Sequence, residues 1–376
     1  MNFNWRRFCA MVRKEFIQMR RDRMTFGMMI GVPMIQLILF GYAINSDPKH
    51  LPTAVYSADN SVFSRTIVQA MHNSSYFNIV REPENETEIN TLLAQNTVQF
   101  AVTIPMDFSR KLLRGEKPDL LLEADATDPA AVGYAIAAMN ALTPAVLNRD
   151  LTGPLAKLQG GSAPFNLVVH QHYNPENITQ YNIVPGLMGV MLTMTMVMIT
   201  ALAITRERER GTMENLLSTP VRPGEVLVGK IVPYIAVGYV QVTLILLAAK
   251  FLFDVPIVGS VPLLVVLTLL FIVANLAVGI TFSTIAKNQL QAVQMAFFFF
   301  LPSLLLSGYM FPFRGMPVWA QDIGECLPLT HFLRIVRGIL LKGNGLAEIA
   351  PDLWPIALFL LVMLAIGVKR YRQTLD

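Results

Sequence analysis

Residues 224–230 read GEVLVGK, so Gly224, four intervening residues, Gly229 and Lys230 reproduce most of the phosphate-binding pattern G-x-x-x-x-G-K-[ST]. In that pattern backbone N–H groups cradle the phosphates, the lysine neutralises them and the final hydroxyl holds Mg²⁺. Here the final position is Ile231, which has no oxygen. Pro223 suits the first turn of a helix better than the strand end that should precede such a loop. Glu225 would set a carboxylate against the phosphates, and a long apolar run follows from Ile231 to Phe253, interrupted by Gln241 and Lys250. The segment therefore reads as a helix entering a membrane. It carries no assigned catalytic residue, and ATP hydrolysis is expected elsewhere.

Other candidate chemistries are thin. His170 and His172 are two apart and would share one face of a strand, as metal ligands can. With no third ligand nearby in sequence, they read as surface histidines, and neither a metal nor a cofactor is expected. Ser, His and Asp show no nucleophile pattern. Cys9 and Cys326 form no disulfide framework. Polar residues inside apolar runs are costly in lipid and so are pathway candidates: Gln36, Gln241, Asn275 and Gln294, with Thr193, Thr195 and Thr200 beside them. Helix–helix hydrogen bonding is the plainer role for any one of them. No apolar run carries a central carboxylate, which argues against a proton-driven antiporter.

The richest local pattern is residues 205–220, TRERERGTMENLLSTP. Alternating Arg206, Glu207, Arg208, Glu209 and Arg210 can form salt-bridged rungs as a helix leaves the membrane. Gly211 ends that helix, Thr212 can cap a short new one, and Thr219-Pro220 closes it. Met213, Leu216 and Leu217 would share a face with Glu214 nearby, a shape suited to docking on a soluble partner.

These residues must be positioned by the rest of the 376-residue chain, of which 53% is hydrophobic and 15% charged. Soluble proteins average about 25% charged residues, so the composition is that of a polytopic α-helical membrane protein. Six runs approach the ~20 apolar residues needed to span a bilayer: Met24–Ile44, Tyr181–Ile204, Ile231–Phe253, Ile257–Ala286, Ala292–Phe313 and Ile349–Val368. The first reads as an uncleaved anchor, preceded by a basic interfacial helix over residues 1–23. Residues 45–180 differ in character. Short strands at Thr53–Ala58, Tyr76–Val80, Val98–Ile104 and Leu120–Glu123 alternate with helical patterns, the last opening at Asp128-Pro129, which implies an inserted α/β domain. Phe165–Tyr173 reads as the return to the membrane.

Charge orients the chain. The segments that six spans place on one side carry a net +9 and the remainder −5. Because Lys and Arg stay inside, both termini are expected in the cytoplasm and the α/β domain outside.

The stretch RERERGTMENLLSTPVRPGEVLVGK resembles the cytoplasmic segment of type-2 ATP-binding-cassette exporter permeases, the bacterial multidrug-efflux-like subgroup. Lys14-Glu15, Asn174-Pro175, SGYMFP at Ser307–Pro312 and the Met316–Gly343 stretch MPVW…LPLTHFLRIVRGILLKG match as well. The resemblance covers essentially the whole chain. It implies a six-span permease in the bacterial inner membrane, working with a second permease (identical or paralogous), a dimeric cytoplasmic ATPase and membrane lipids, and with no nucleic acid. A periplasmic adaptor is left open. It further implies that Thr212–Leu217, with the flanking Arg206–Gly211, couples the permease to the ATPase. Residues 312–345 would then form short helices of an outer gate. A lipid or polysaccharide exporter, or a sensor through which nothing passes, remains an alternative at this level.

Overall fold

A computed structural model describes residues 48–153, 156, 163–176, 178–209 and 223–373. Among these are an α/β region and five helices long and apolar enough to cross a membrane. The expected first span Met24–Ile44, with Gln36, and the basic helix before it lie outside the described residues.

The α/β region runs β1 (Leu51–Ser57), α1 (Val62–Asn73), β2 (Phe77–Arg81), α2 (Glu86–Ala94), β3 (Phe100–Ile104), α3 (Phe108–Leu113), β4 (Asp119–Asp125), α4 (Pro129–Leu142) and β5 (Asn166–His172). The sheet order is β2-β1-β3-β4-β5. All pairs are parallel except β3–β4. The side-chain period of two sends Leu120, Leu122 and Ala124 to one face, where α1, α3 and α4 close a core around Phe77, Phe100, Phe108 and Phe165. On the other face, among the described residues, α2 packs through Ile89 and Leu93 against Ala54, Val98 and Ala101. Among the described residues no helix packs there over β4 and β5, where His170 is exposed.

Local chemistry fixes the helix starts. Ser61 caps α1 and Asn85 caps α2, each accepting from the N–H three residues on. The buried Asp59 accepts from Ser61 and also from the Ser109 N–H (3.0 Å) and hydroxyl (3.1 Å), tying the end of β1 to α3. α4 starts at Asp128-Pro129, although the Asp128 side chain makes no capping bond. Phe165–Tyr173, expected as a simple return, is mostly the edge strand β5. Its partner strand β4 lies more than forty residues upstream, so local patterning carried no sign of the pairing.

The helical region comprises α5 (Thr179–Glu209), α6 (Pro223–Phe251), α7 (Val261–Ile285), α8 (Gln289–Leu306), α9 (Val318–Glu325), α10 (Pro328–Arg337) and α11 (Leu346–Gln373). α5 is the hub, packing on α6, α7, α8 and α10. Close approach needs glycine here. A Cβ on Gly279 of α7 would meet the Val197 carbonyl oxygen of α5 at 2.6 Å. Phe271 of α7 stacks on Phe332 of α10 with ring centroids 3.9 Å apart.

The helix bounds depart from the hydropathy reading by several residues, and three of the departures have a visible local cause. α6 begins at Pro223, eight residues before the apolar run, so Gly224–Lys230 is helix and not a loop. α7 begins at Val261 because Val258 and Gly259 instead donate to the carbonyls of Leu340 (2.9 Å) and Ile339 (3.0 Å). α8 stops at Leu306 because Gly308 turns the chain with φ +80°. The remaining apolar residues to Phe313 belong to the turn that leads into α9.

Candidate functional site

Arg210, Gly211, Thr212, Met213, Glu214, Leu216 and Leu217 lie outside the described residues, as do the side chains of Glu207 and Arg208. Arg206 is exposed on the last turns of α5. Most side chains of the expected salt-bridged rungs lie outside the described residues, but Glu209 makes a contact the sequence did not suggest. Its carboxylate accepts from the backbone N–H of Gln289 at 2.7 Å and from the Gln289 side-chain amide. Gln289 is the first residue of α8, where unpaired N–H groups and the helix dipole favour an anion. The Gln289 side-chain and backbone hydrogen bonds together hold the Glu209 carboxyl below the usual range. The end of α5 is thus fastened to the start of α8 immediately before residues 210–222.

The three pathway candidates within the described residues sit on three helices around α5. Gln241 of α6 donates to Thr195 Oγ1 of α5 at 3.0 Å. Asn275 of α7 is fully buried and donates to the Phe271 carbonyl at 2.9 Å. Each of Gln241, Asn275 and Gln294 keeps a buried side-chain oxygen with no hydrogen-bond donor among the described residues. No described hydrogen bond joins the three. Thr193, Thr200 and Thr205, in contrast, are satisfied by carbonyls four residues back along α5.

A second constellation, absent from the sequence reading, joins the two regions. After α10 a π-helical turn, Gly338–Lys342, projects Lys342 into the α/β region. The ammonium donates to the Asp125 carboxylate at 2.6 Å, to the Leu93 carbonyl at 3.0 Å and to the Asn96 side chain, and it stands over the Tyr173 ring. The two side chains are 2% and 6% exposed, so the ion pair is effectively dry. Asn344 adds a bond to the Ala94 carbonyl (2.9 Å) and Arg314 one to the Asn96 carbonyl (3.0 Å). The fold thus plugs the helical region into the C-terminal end of α2.

Beside this joint is a cavity of about 110 Å³ lined by Arg314, Arg334, Arg337 and Lys342 with Asp125 and Asp128. Arg337 donates to Asn182 of α5 and to the Gly308 carbonyl, while its Nε has no partner among the described residues. Burial pulls the Arg337 guanidinium down and pushes the Asp128 carboxyl up, each opposed by the other's charge. Arg334 pairs with Glu325 (2.6 Å) and Asp352 (3.4 Å). His331 bridges Asp352 and the Glu325 carbonyl, both at 2.8 Å, which locks α9, α10 and α11 together. The only sequence signal for Lys342 was a lone cation between an apolar run and a Gly-Asn-Gly turn. Asp125 had none, because its partner is 217 positions away.

His170 and His172 lie on the edge strand β5, as a surface reading implies, and the structure sets a third group beside them. Glu123 on β4 pairs in register with His170 on β5, on the face that carries α2. Its carboxylate is 2.9 Å from His172 Nε2, and one ligand atom from each of Glu123, His170 and His172 falls within 4.8 Å of the others. The third potential ligand does exist, supplied by the neighbouring strand.

The family model for the ABC-2 family transporter protein matches residues 23–369. The chain is 30% identical to the probable multidrug ABC transporter permease YbhR of Escherichia coli, covering 93% of this chain and 94% of that one. It is 29% identical to the probable multidrug ABC transporter permease YbhS of the same organism, covering 91% and 90%. The inner membrane transport permease YhhJ of Escherichia coli is 30% identical, with 91% and 93% covered.

Proposed function

The chain belongs to the ABC-2 family of transporter proteins, and on that premise we propose that it is the membrane subunit of an exporter of drugs or other amphipathic small molecules across the bacterial inner membrane. The relatives' names as multidrug permeases support that substrate class. ATP would be hydrolysed by a separate dimeric ATPase, and a second permease, identical or paralogous, would complete the pathway.

The observation that carries this reading is the Glu209–Gln289 bond at the threshold of residues 210–222. A partner that moves the Thr212–Leu217 segment would displace the end of α5, and the bond would hand that displacement to α8. Because α5 also packs on α6, α7 and α10, one push reaches most of the bundle. The helical state of Gly224–Lys230 supports an external ATPase, since backbone N–H groups within a helix are already paired and cannot wrap a phosphate. The buried oxygens of Gln241, Asn275 and Gln294 support a polar route or partner interface between helices, because an unpaired buried acceptor costs about 1–3 kcal/mol, which a polar ligand or a partner's donor would offset.

The test is a Glu214→Arg variant assayed for copurification of the ATPase subunit and for drug-stimulated ATP turnover in membranes. Removing a charge-assisted hydrogen bond from a desolvated helix costs about 1.5–3 kcal/mol, and reversal of the charge adds repulsion. Stimulation should vanish while the permease remains inserted. If Glu214→Arg retains the ATPase and turns over as the wild type does, residues 212–217 are not the coupling element.

A further inference from the structure

We propose that Glu123, His170 and His172 form a zinc(II) site on the α2-bearing face of the α/β region. Two imidazoles and one carboxylate are a known three-ligand set for zinc that leaves the fourth position to water or to another ligand. Hard cations such as Mg²⁺ and Ca²⁺ prefer all-oxygen shells, so the two nitrogens select against them.

The backbone brings this set together. The parallel register places Glu123 directly beside His170, and the pleat returns the next side chain, His172, to the same face. The imidazole rings are 4.3 Å apart between centroids, so their nitrogens can converge on one point. The ligand atoms already lie within 4.8 Å of one another. A tetrahedral zinc with bonds of about 2.0–2.2 Å needs them roughly 3.4 Å apart, a shift that side-chain torsions supply without moving the strands. His172 and Glu123 are only 19% and 12% exposed, which limits competing water, whereas the exposed His170 leaves an entrance. α2 packs over β1 and β3, and the solvent-facing side of the site is at His170. An ion there would clip the edge strand β5 to β4, one pleat from Asp125 and just before Tyr173, where the chain turns toward α5.

The experiment uses the full-length permease in detergent, purified without a polyhistidine tag and stripped with a chelator. Zinc alone is titrated in competition with a chromophoric chelator. The wild type should take up one zinc per chain at this site. Removing one ligand should weaken that binding at least 10-fold, since even residues behind the ligands cost 10–100-fold. His170→Ala is the primary variant, because the exposed ring contributes little to folding, and Glu123→Gln is the second. His72→Ala, an exposed histidine at the end of α1, should bind as the wild type does. Zinc should also slow amide exchange in β5 of the wild type and not in His170→Ala. If His170→Ala and Glu123→Gln bind zinc as tightly as the wild type, or if the wild type takes up none, the proposal fails.

Discussion

Replacing Lys342 with Met removes the cation from a joint built around it. The methionine fills a similar volume, but Asp125 is left buried with its charge unanswered on one side, the Asn96 side chain loses its donor, and the Leu93 carbonyl is left with the Asn96 N–H. Asp125 keeps the Thr127 N–H (3.1 Å) and hydroxyl (2.8 Å), which softens the loss without neutralising it. Breaking a buried pair by removing one partner costs about 3–5 kcal/mol. That cost falls on the docked state of the joint, because once the regions separate both groups return to water. The natural readout is hydrogen exchange at Asn96 and Thr97, whose N–H groups bond the carbonyls of Leu93 (3.2 Å) and Leu92 (3.0 Å) at the end of α2. At about 1.4 kcal/mol per tenfold, their exchange should accelerate by about two to four powers of ten, up to the ceiling set by global unfolding. The partner variant Asp125→Asn retains an acceptor for Thr127 and removes the charge. In the Lys342→Met background it should restore most of the protection, since a buried pair replaced on both sides is often neutral. Exchange within threefold of wild type in Lys342→Met, or no rescue by Asp125→Asn, would show that the pair does not hold the two regions together.

Three shorter tests address other elements. Gly279→Ala sets a methyl 2.6 Å from the Val197 carbonyl oxygen and should destabilise the α5–α7 packing by about 1–3 kcal/mol, whereas Gly133→Ala, with nothing within 4 Å, should stabilise α4 by about 0.5–1 kcal/mol; thermal unfolding in detergent distinguishes them. Glu209 lies below its ordinary value of 4.5 in the folded chain, so its stabilising bond to Gln289 is present above that pH and is lost as pH falls through the lower folded value; protection of the Gln289 amide should fall accordingly, and Glu209→Gln should abolish that pH dependence. For topology, Thr87→Cys on the exposed side of α2 and Ser218→Cys, both lacking Cys9 and Cys326, should respectively react with and escape an impermeant thiol reagent on intact cells; the reverse pattern would invert the orientation.

The sequence was most informative where structure is local. Short strand-like runs between helical patterns located β1 to β4 within a few residues, and Asp128-Pro129 marked the start of α4, because propensity, capping and proline geometry act over a single turn. Apolar length located five described helices, but it could not locate their ends. Pro223 starts α6 before its residues turn apolar, and Gly308 stops α8 while they are still apolar, because helix ends are set by caps and φ angles rather than by transfer free energy. What could not be read was everything made by pairing across the chain. Glu123 joins His170 only through the β4–β5 register, and Lys342 meets Asp125 only because the π-helical turn after α10 aims it at the end of β4. Glu209 is the instructive intermediate. Its type and position at a helix end were legible, and the natural local inference was an ion pair with a neighbouring arginine. The N–H groups at the start of α8 offer the same carboxylate a charge-assisted bond from a backbone donor fixed in place, which a long exposed arginine side chain does not provide. A carboxylate at the end of one long apolar helix thus caps the start of another eighty residues away.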